Sequence, residues 1–307
     1  MISQVLNEHR RRLARLAERR GVAQLKHLYD RARAELESKL ARASRGVDTF
    51  TVHQLRVFSA EIRQGQMLLA KHMTGELGDI SLEAQTEALR GLSRDITRLE
   101  KHYSGADITL PIDEAARFQG VINGRRESLL RAHETSMARY TANVVTEMED
   151  QLSLSLVEGE APSATIARVM DASETTWYQA ECIARTETAF AFNAASADGM
   201  RELAVDLGDL MMRWVEYVSD DGQPLDKRVG EDSIAMHGQV VKPGENFVFP
   251  HTMPDGSAVP DELEHFIGES WAFPPNRPND RSTISPWRAH WGIPAWQWRN
   301  GQRVDVE

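Results

Sequence analysis

The chain has 307 residues, a formal net charge of -10 and 41% hydrophobic residues, which is the balance of a globular protein with room for two domains. Its one cysteine, Cys182, excludes an intramolecular disulfide framework and any multi-cysteine metal site. No apolar run approaches the ~20 residues of a membrane span, and NEHRRRLARLAERR follows Met1–Leu6 where a signal peptide would need an apolar stretch, so cytoplasmic synthesis is expected.

Residues 5–45 predict a helix, with Val22, Leu25, Leu28 or Tyr29, Ala32, Leu36 and Leu40 at three- and four-residue spacing. Gly21 is a point where this segment bends or splits; Gly46 is its stop, and Asp48 or Thr49 is the next N-cap. A second helix is predicted over 50–73, ended by Gly75 and Gly78. A third carries Leu82, Leu89, Leu92, Ile96, Leu99 and Tyr103 as a narrow seam suited to an antiparallel partner. Pro111 and Asp113 open a long helix to about Gly159, whose apolar stripe includes His133 as a core or interface histidine rather than a ligand. Pro162 and Ser163 start a short helix through Met170, Asp171–Ser173 makes a turn, and a last helix runs to about Val205.

Nine of the twelve prolines fall in the last quarter, with most of the β-type pattern, and that shift marks a domain boundary. Residues 213–218 alternate as a strand that closes on the turn Ser219–Gly222. Residues 238–241 and 246–249 around Pro243-Gly244 predict a hairpin, and 261–268 one or two helical turns. The end of the chain is loop and a tryptophan-dense tail, with Trp287, Trp291, Trp296 and Trp298 four of the seven tryptophans. Those rings fit either an interface or packing of the tail on its own domain.

The most informative stretch is Glu181–Ala195, ECIARTETAFAFNAA. Its apolar residues predict burial, yet it carries Arg185, Thr186, Glu187 and Asn193, and Glu181 precedes Arg185 by the four residues that favour an ion pair on one helix face. From the residues alone, this is a buried polar network that holds helix register. IARTET followed by a small-residue helix with Asn193 also resembles the signature of the phage head morphogenesis family, the Mu F-like minor head proteins. That family couples the helix to a D-x-R-x-C-x-x-C-x-x-x-x-G stretch and a later P-P-x-H-P-x-C-R-C segment, whose cysteines and histidine would suit a structural zinc. Here Asp226, Arg228 and Gly238 keep the first frame, with Gly230 and Ser233 at the cysteine positions. Pro274, Pro275, Pro278 and Arg281 keep the second, with Arg277, Asp280 and Ser282 at the ligand positions. All five ligand types are replaced together, so no metal or other cofactor is expected; hydrogen bonds and salt links among Arg228, Asp232, Arg277, Asp280 and Arg281 are expected instead.

Charge is spread unevenly: residues 1–45 hold +7 and the remainder -17. The arginines Arg10, Arg11, Arg12, Arg15, Arg19 and Arg20 form a basic arm that fits DNA phosphates, an acidic protein surface or a plain solvated helix face. No aromatic interleaves it before Tyr29, which argues against base stacking on a single strand. His237, His251, His265 and His290, with Asp232, Glu262 and Asp280 nearby in sequence, are the candidates for an enzyme, but they match no H-E-x-x-H pattern, and there is no G-x-S-x-G elbow or phosphate loop.

The fold expected is mainly α: an elongated N-terminal helical region followed by a small α+β C-terminal module with short strands and long loops. Its segments are a basic amphipathic arm at 1–48, an α-helical domain at 49–205 and the small module with its tail at 206–307. The resemblance implies a non-enzymatic minor capsid protein of a phage head, present in few copies within the virion near the portal vertex after assembly in the host cytoplasm. Its implied partners are the portal protein, the major capsid protein and packaged double-stranded DNA met through the arm, with no membrane, and its implied roles are head assembly, DNA packaging or DNA ejection. The alternative is a toxin-like hydrolase or transferase domain using residues 231–290 on such a scaffold.

Overall fold

The computed structural model describes residues 2–46, 51–108, 110, 114–216, 218, 229–253, 256–278, 280, 282–299 and 302–306. Helix α1 (Ile2–Ala14) passes through a π-helical stretch, Arg15–Val22, into α2 (Ala23–Ala43). Then come α3 (Val52–Tyr103), α4 (Glu114–Glu158) and α5 (Pro162–Leu203). Short elements follow: β1 (Met211–Val215), α6 (Glu231–Met236), β2 (Val240–Val241), β3 (Phe247–Val248), β4 (Ser270–Trp271), β5 (Thr283–Trp287), β6 (Ala295–Arg299) and β7 (Gln302–Val306). The protein is therefore mainly α with a small C-terminal module of short antiparallel strands. No helix among the described residues is long and apolar enough to cross a membrane.

The helices differ from their predicted bounds in instructive ways. Gly21 lies in the π-helical stretch, so the first segment changes winding there without ending. Gly75 and Gly78 do not end a helix, and α3 runs through both. Neither adopts positive φ, and a Cβ at Gly78 would lie 2.9 Å from Leu130 Cδ2, so that glycine serves close packing. Asp171–Ser173 is helical rather than a turn, because Ala172 and Ser173 are buried and the segment has neither Gly nor Pro to break it. The predicted caps Asp48 and Thr49, the opening Pro111 and Asp113 and the turn from Ser219 to Gly222 lie outside the described residues. Thr51 caps α3 in a reciprocal box: the Gln54 N–H donates to Thr51 Oγ1 at 3.3 Å and the Thr51 N–H to Gln54 Oε1 at 2.9 Å.

The chain forms two compact units, residues 18–80 with 128–185, and residues 1–17 with 81–127 and 186–307. These do not follow the order of the three predicted segments, since each of α3, α4 and α5 contributes residues to both. The first, helical unit is held by a core that includes Leu25, Leu40, Phe58, Ile62, Met73, Met137, Val144, Met148 and Val169. Within it Tyr29 and Ser173 share a hydrogen bond of 2.8 Å, and Arg63 donates to both oxygens of Glu149 at 2.7 and 2.8 Å. His133 is fully buried there, as its place on the apolar stripe predicts.

In the second unit α5 packs closely on α3 and α4: a Cβ at Gly199 would lie 2.9 Å from Leu92 Cδ2 and 3.5 Å from Phe118. A three-stranded antiparallel sheet has the order β2-β1-β5, with Trp214 opposite Ile284. The predicted hairpin between β2 and β3 is not formed; β3 pairs with β4, and β6 with β7. The reason is Gln239, whose side-chain amide donates to Val248 O and accepts from the Val248 N–H, both at 2.8 Å. That amide meets the backbone of β3 as a neighbouring strand would. The tryptophan tail packs on its own unit: Trp287, Trp291 and Trp296 are buried, and the Trp298 side chain lies outside the described residues.

Burial pushes the His133 imidazole down to about 4. The unfolded chain, titrating near 6.5, takes up a proton that the folded core refuses, so stability is full above pH 6.5 and falls by about 3 kcal/mol as pH drops to 4. Urea midpoints across that range are expected to show the slope in the wild type, and His133→Gln to flatten it.

Candidate functional site

The buried amide of Asn193 on α5 is the anchor of the site. Its Nδ2 donates to Ser282 O at 3.1 Å, and its Oδ1 accepts from Thr283 Oγ1 at 2.7 Å and from the Ile284 N–H at 3.3 Å. Both ends of the amide are thereby satisfied, and its orientation is fixed by the backbone it meets. The entry to β5 is held against the helix that follows IARTET.

Beside this anchor, two stretches of the C-terminal module come together. Asp232 on α6 accepts from Asn276 Nδ2 at 3.2 Å and makes an ion pair of 3.0 Å with Arg277 Nε. Buried Asp280 accepts from the Ser282 N–H at 3.0 Å, from Ser282 Oγ at 2.7 Å, from Ser233 Oγ at 3.4 Å and from the Asn276 N–H at 3.3 Å. Gly230 leaves the space for this: a Cβ there would collide with Asp232 Oδ1 and Arg277 Nη2. The five positions Gly230, Ser233, Arg277, Asp280 and Ser282 thus lie around one polar network, of which the expected Asp232–Arg277 link is part. Asp226, Arg228 and Arg281 lie outside the described residues. Gly238 has φ of +84°, which only glycine takes without strain, and its carbonyl accepts from the Trp296 N–H at 3.1 Å. Pro274 is buried and joined to half-buried Pro275 by a cis peptide.

Ser282 Oγ also contacts Glu216 Oε2, so one hydroxyl stands between two buried carboxyl groups. It has one proton to give, and two ionised carboxylates would compete for it. Burial raises the Asp280 carboxyl above its ordinary value, against the pull of the Ser282 and Asn276 donors and the Arg277 charge.

A second polar chain, not foreseen, ties α1 to the same strand. His9 Nε2 lies 3.1 Å from Thr283 Oγ1, and because that hydroxyl gives its proton to Asn193, the imidazole is the donor. His9 Nδ1 faces Asp95 Oδ2 at 3.4 Å, and Arg12 grips Asp95 with bonds of 3.1 and 2.8 Å. Burial works to raise Asp95, but the facing His9 and Arg12 outweigh it and hold the carboxyl below its usual range. Arg12 is therefore an interior ion-pair partner, which corrects its place in the solvent-facing arm. Arg11, Arg15 and Arg20 are exposed, and the side chains of Arg10 and Arg19 lie outside the described residues. A third network closes on Glu100, which accepts from Arg288 at 2.8 Å and Trp291 Nε1 at 3.0 Å and lies 3.1 Å from His290 Nε2. The signal for Asp95 and Glu100 was their position on the apolar seam of α3, beside Ile96 and Leu99.

Of the motif residues on α5, Arg185 bonds Glu181 at 3.2 Å as its spacing predicts, and Thr186 and Glu187 are half-buried. His251 and His265 are exposed, while half-buried His237 accepts from the Glu216 N–H through Nδ1 at 3.0 Å. Among the described residues, no group of three or more His, Cys, Asp or Glu side chains is arranged to hold a metal ion. Compared with family models, with curated proteins and with solved structures, the chain gives no match.

Gly230→Ala is expected to displace Arg277 from Asp232 and to lower stability by about 1–3 kcal/mol in urea unfolding, the cost of disturbing a buried charged contact. Asp280 sets a pH dependence of its own. Its raised value means the favourable contribution is present below the ordinary carboxyl range and is lost as pH climbs through the folded value. Wild type should therefore lose stability relative to Asp280→Asn as pH increases, measured as the difference in urea midpoint.

Proposed function

We propose that this protein is a minor structural protein of a phage head, akin to the head morphogenesis family, and that it acts by binding rather than by bond-making. The observation that carries this reading is the meeting of two half-motifs about forty residues apart in sequence. In the family pattern the positions of Gly230, Ser233, Arg277, Asp280 and Ser282 would share a metal. In this chain they surround one network of hydrogen bonds and an ion pair, as expected when a metal site is given up as a unit. Asn193, on α5 just after IARTET, bonds the last of these residues, so the three separated parts of the resemblance meet at one place.

On this reading the protein sits in the virion near the portal vertex, after assembly in the host cytoplasm, in contact with the portal or the major capsid protein. The C-terminal module is scaffold, and the exposed helices carry the partner surfaces. The enzyme alternative gains no support from the histidines, since His237 is engaged with a backbone amide and His251 and His265 face solvent.

The test is co-purification with the portal protein of the same genome, in low and in high salt, with DNA offered in parallel. A portal complex that survives high salt is the expected result, as for a packed apolar interface. Absence of any portal complex, together with a metal-dependent activity abolished by His237→Ala, would overturn the proposal.

A further inference from the structure

The fate of Arg12 redefines the basic arm. Glu8 pairs with Arg98, while Arg12 pairs with Asp95 and lies against Gly91, so numbering on α1 rises as that on α3 falls and the helices run antiparallel. In an antiparallel pair, the residues preceding two that face each other turn to the same side, because each helix is right-handed. Arg11 and Arg94 precede Arg12 and Asp95, and both are exposed. One turn along, Arg15 and Arg90 take the corresponding places, and both are exposed too.

We infer that Arg11, Arg15, Arg90 and Arg94 form a two-by-two arginine platform that binds the sugar-phosphate backbone of double-stranded DNA. Neighbours along each helix stand about 6 Å apart, and the rows are about 9 Å apart, the usual separation of packed helices. None of the four pairs with an acidic side chain among the described residues, unlike Arg98, which Glu8 holds. Four unspent guanidiniums facing solvent on a chain of net charge -10 are a concentrated positive site on an otherwise acidic protein. Arginine forks suit phosphate oxygens and stay charged at any working pH.

A duplex fits better than the two nearest competitors. A protein partner needs an apolar centre to its interface, and, Ala14 apart, the surroundings of the four arginines are polar or charged, with Arg98 and Lys101 exposed and Glu8 and Glu87 half-buried. A single strand needs aromatic rings for stacking, and this face has none. The platform adds a partner surface to the head reading without resting on it. Half of it comes from α3, about eighty residues beyond the arm in sequence.

The experiment is fluorescence anisotropy of the full-length protein with a random-sequence duplex, a single strand of equal length and polyglutamate. Four neutralised phosphates predict an affinity that falls about 100-fold between ~50 and ~200 mM salt. Replacing two of them, Arg90→Gln with Arg94→Gln, should reduce that fall to about tenfold. The control pair Arg126→Gln with Arg139→Gln removes the same charge from exposed positions elsewhere and should leave the salt dependence unchanged. Equal effects of the two pairs would overturn the platform, as would tighter binding of polyglutamate or of the single strand, or no duplex binding at ~50 mM salt. Portal co-purification and duplex binding of the wild-type protein, measured side by side, separate the readings. A retained portal complex without DNA binding sinks the platform alone, and DNA binding without a portal complex sinks only the head reading.

Discussion

A buried amide with three polar partners is the constraint on which the strand-bearing unit depends. Asn193 has no access to water, so each of its polar atoms must find a partner or cost about 1–3 kcal/mol. The partners are the carbonyl of Ser282, the hydroxyl of Thr283 and the amide of Ile284, which together define where β5 begins. Once β5 is placed, β1 pairs along its length and brings Glu216 to Ser282. Asp280, two residues before Ser282, then falls within reach of Ser233. The polar network of the candidate site follows from one helix residue meeting one strand entry.

The same unit shows how buried charge is made tolerable. Asp95, Glu100, Asp232 and Asp280 are all buried, and each is met by donors from a distant part of the chain. Asp95 has the Arg12 fork and the facing His9; Glu100 has Arg288, His290 and Trp291; Asp232 has Arg277 and Asn276. Such contacts add little net stability relative to apolar packing, but breaking one partner is costly. They act as specificity devices: a wrong register of α1 or β5 would leave a carboxylate in the core with no donor. Asp280 and Glu216, joined through Ser282, are the place where acid meets acid, and burial raises the Asp280 carboxyl there.

Arginines in α1 divide by helix phase. Arg12 turns inward and is consumed by Asp95, while Arg11 and Arg15 turn outward. A run of like charges in sequence is therefore not one surface. The helix separates it into an interior tie and an exterior face, and the exterior face gains Arg90 and Arg94 from α3. The acidic balance of the chain makes that face the more distinct.

Much of this was legible in the sequence. The apolar periods at Leu25–Leu40, Leu89–Leu99 and Phe118–Leu152 named helical stretches and their buried stripes, including His133, because a 3.6-residue repeat has one amphipathic solution; Leu82, read on the same seam, is exposed. The shift to proline and β-type pattern after residue 205 marked the small module, and the two half-motifs named Ser233, Arg277, Asp280 and Ser282 before their contacts were known. Tertiary structure alone decided the rest. Whether Gly78 and Asp171–Ser173 end a helix depends on what packs beside them, and the packed neighbours carried the chain through. The pairing of β3 with β4 instead of β2 turned on the Gln239 amide, which no local pattern encodes. Arg12, His9 and Asp95 found one another across more than eighty residues, because a buried charge must be answered by whichever donor the fold delivers.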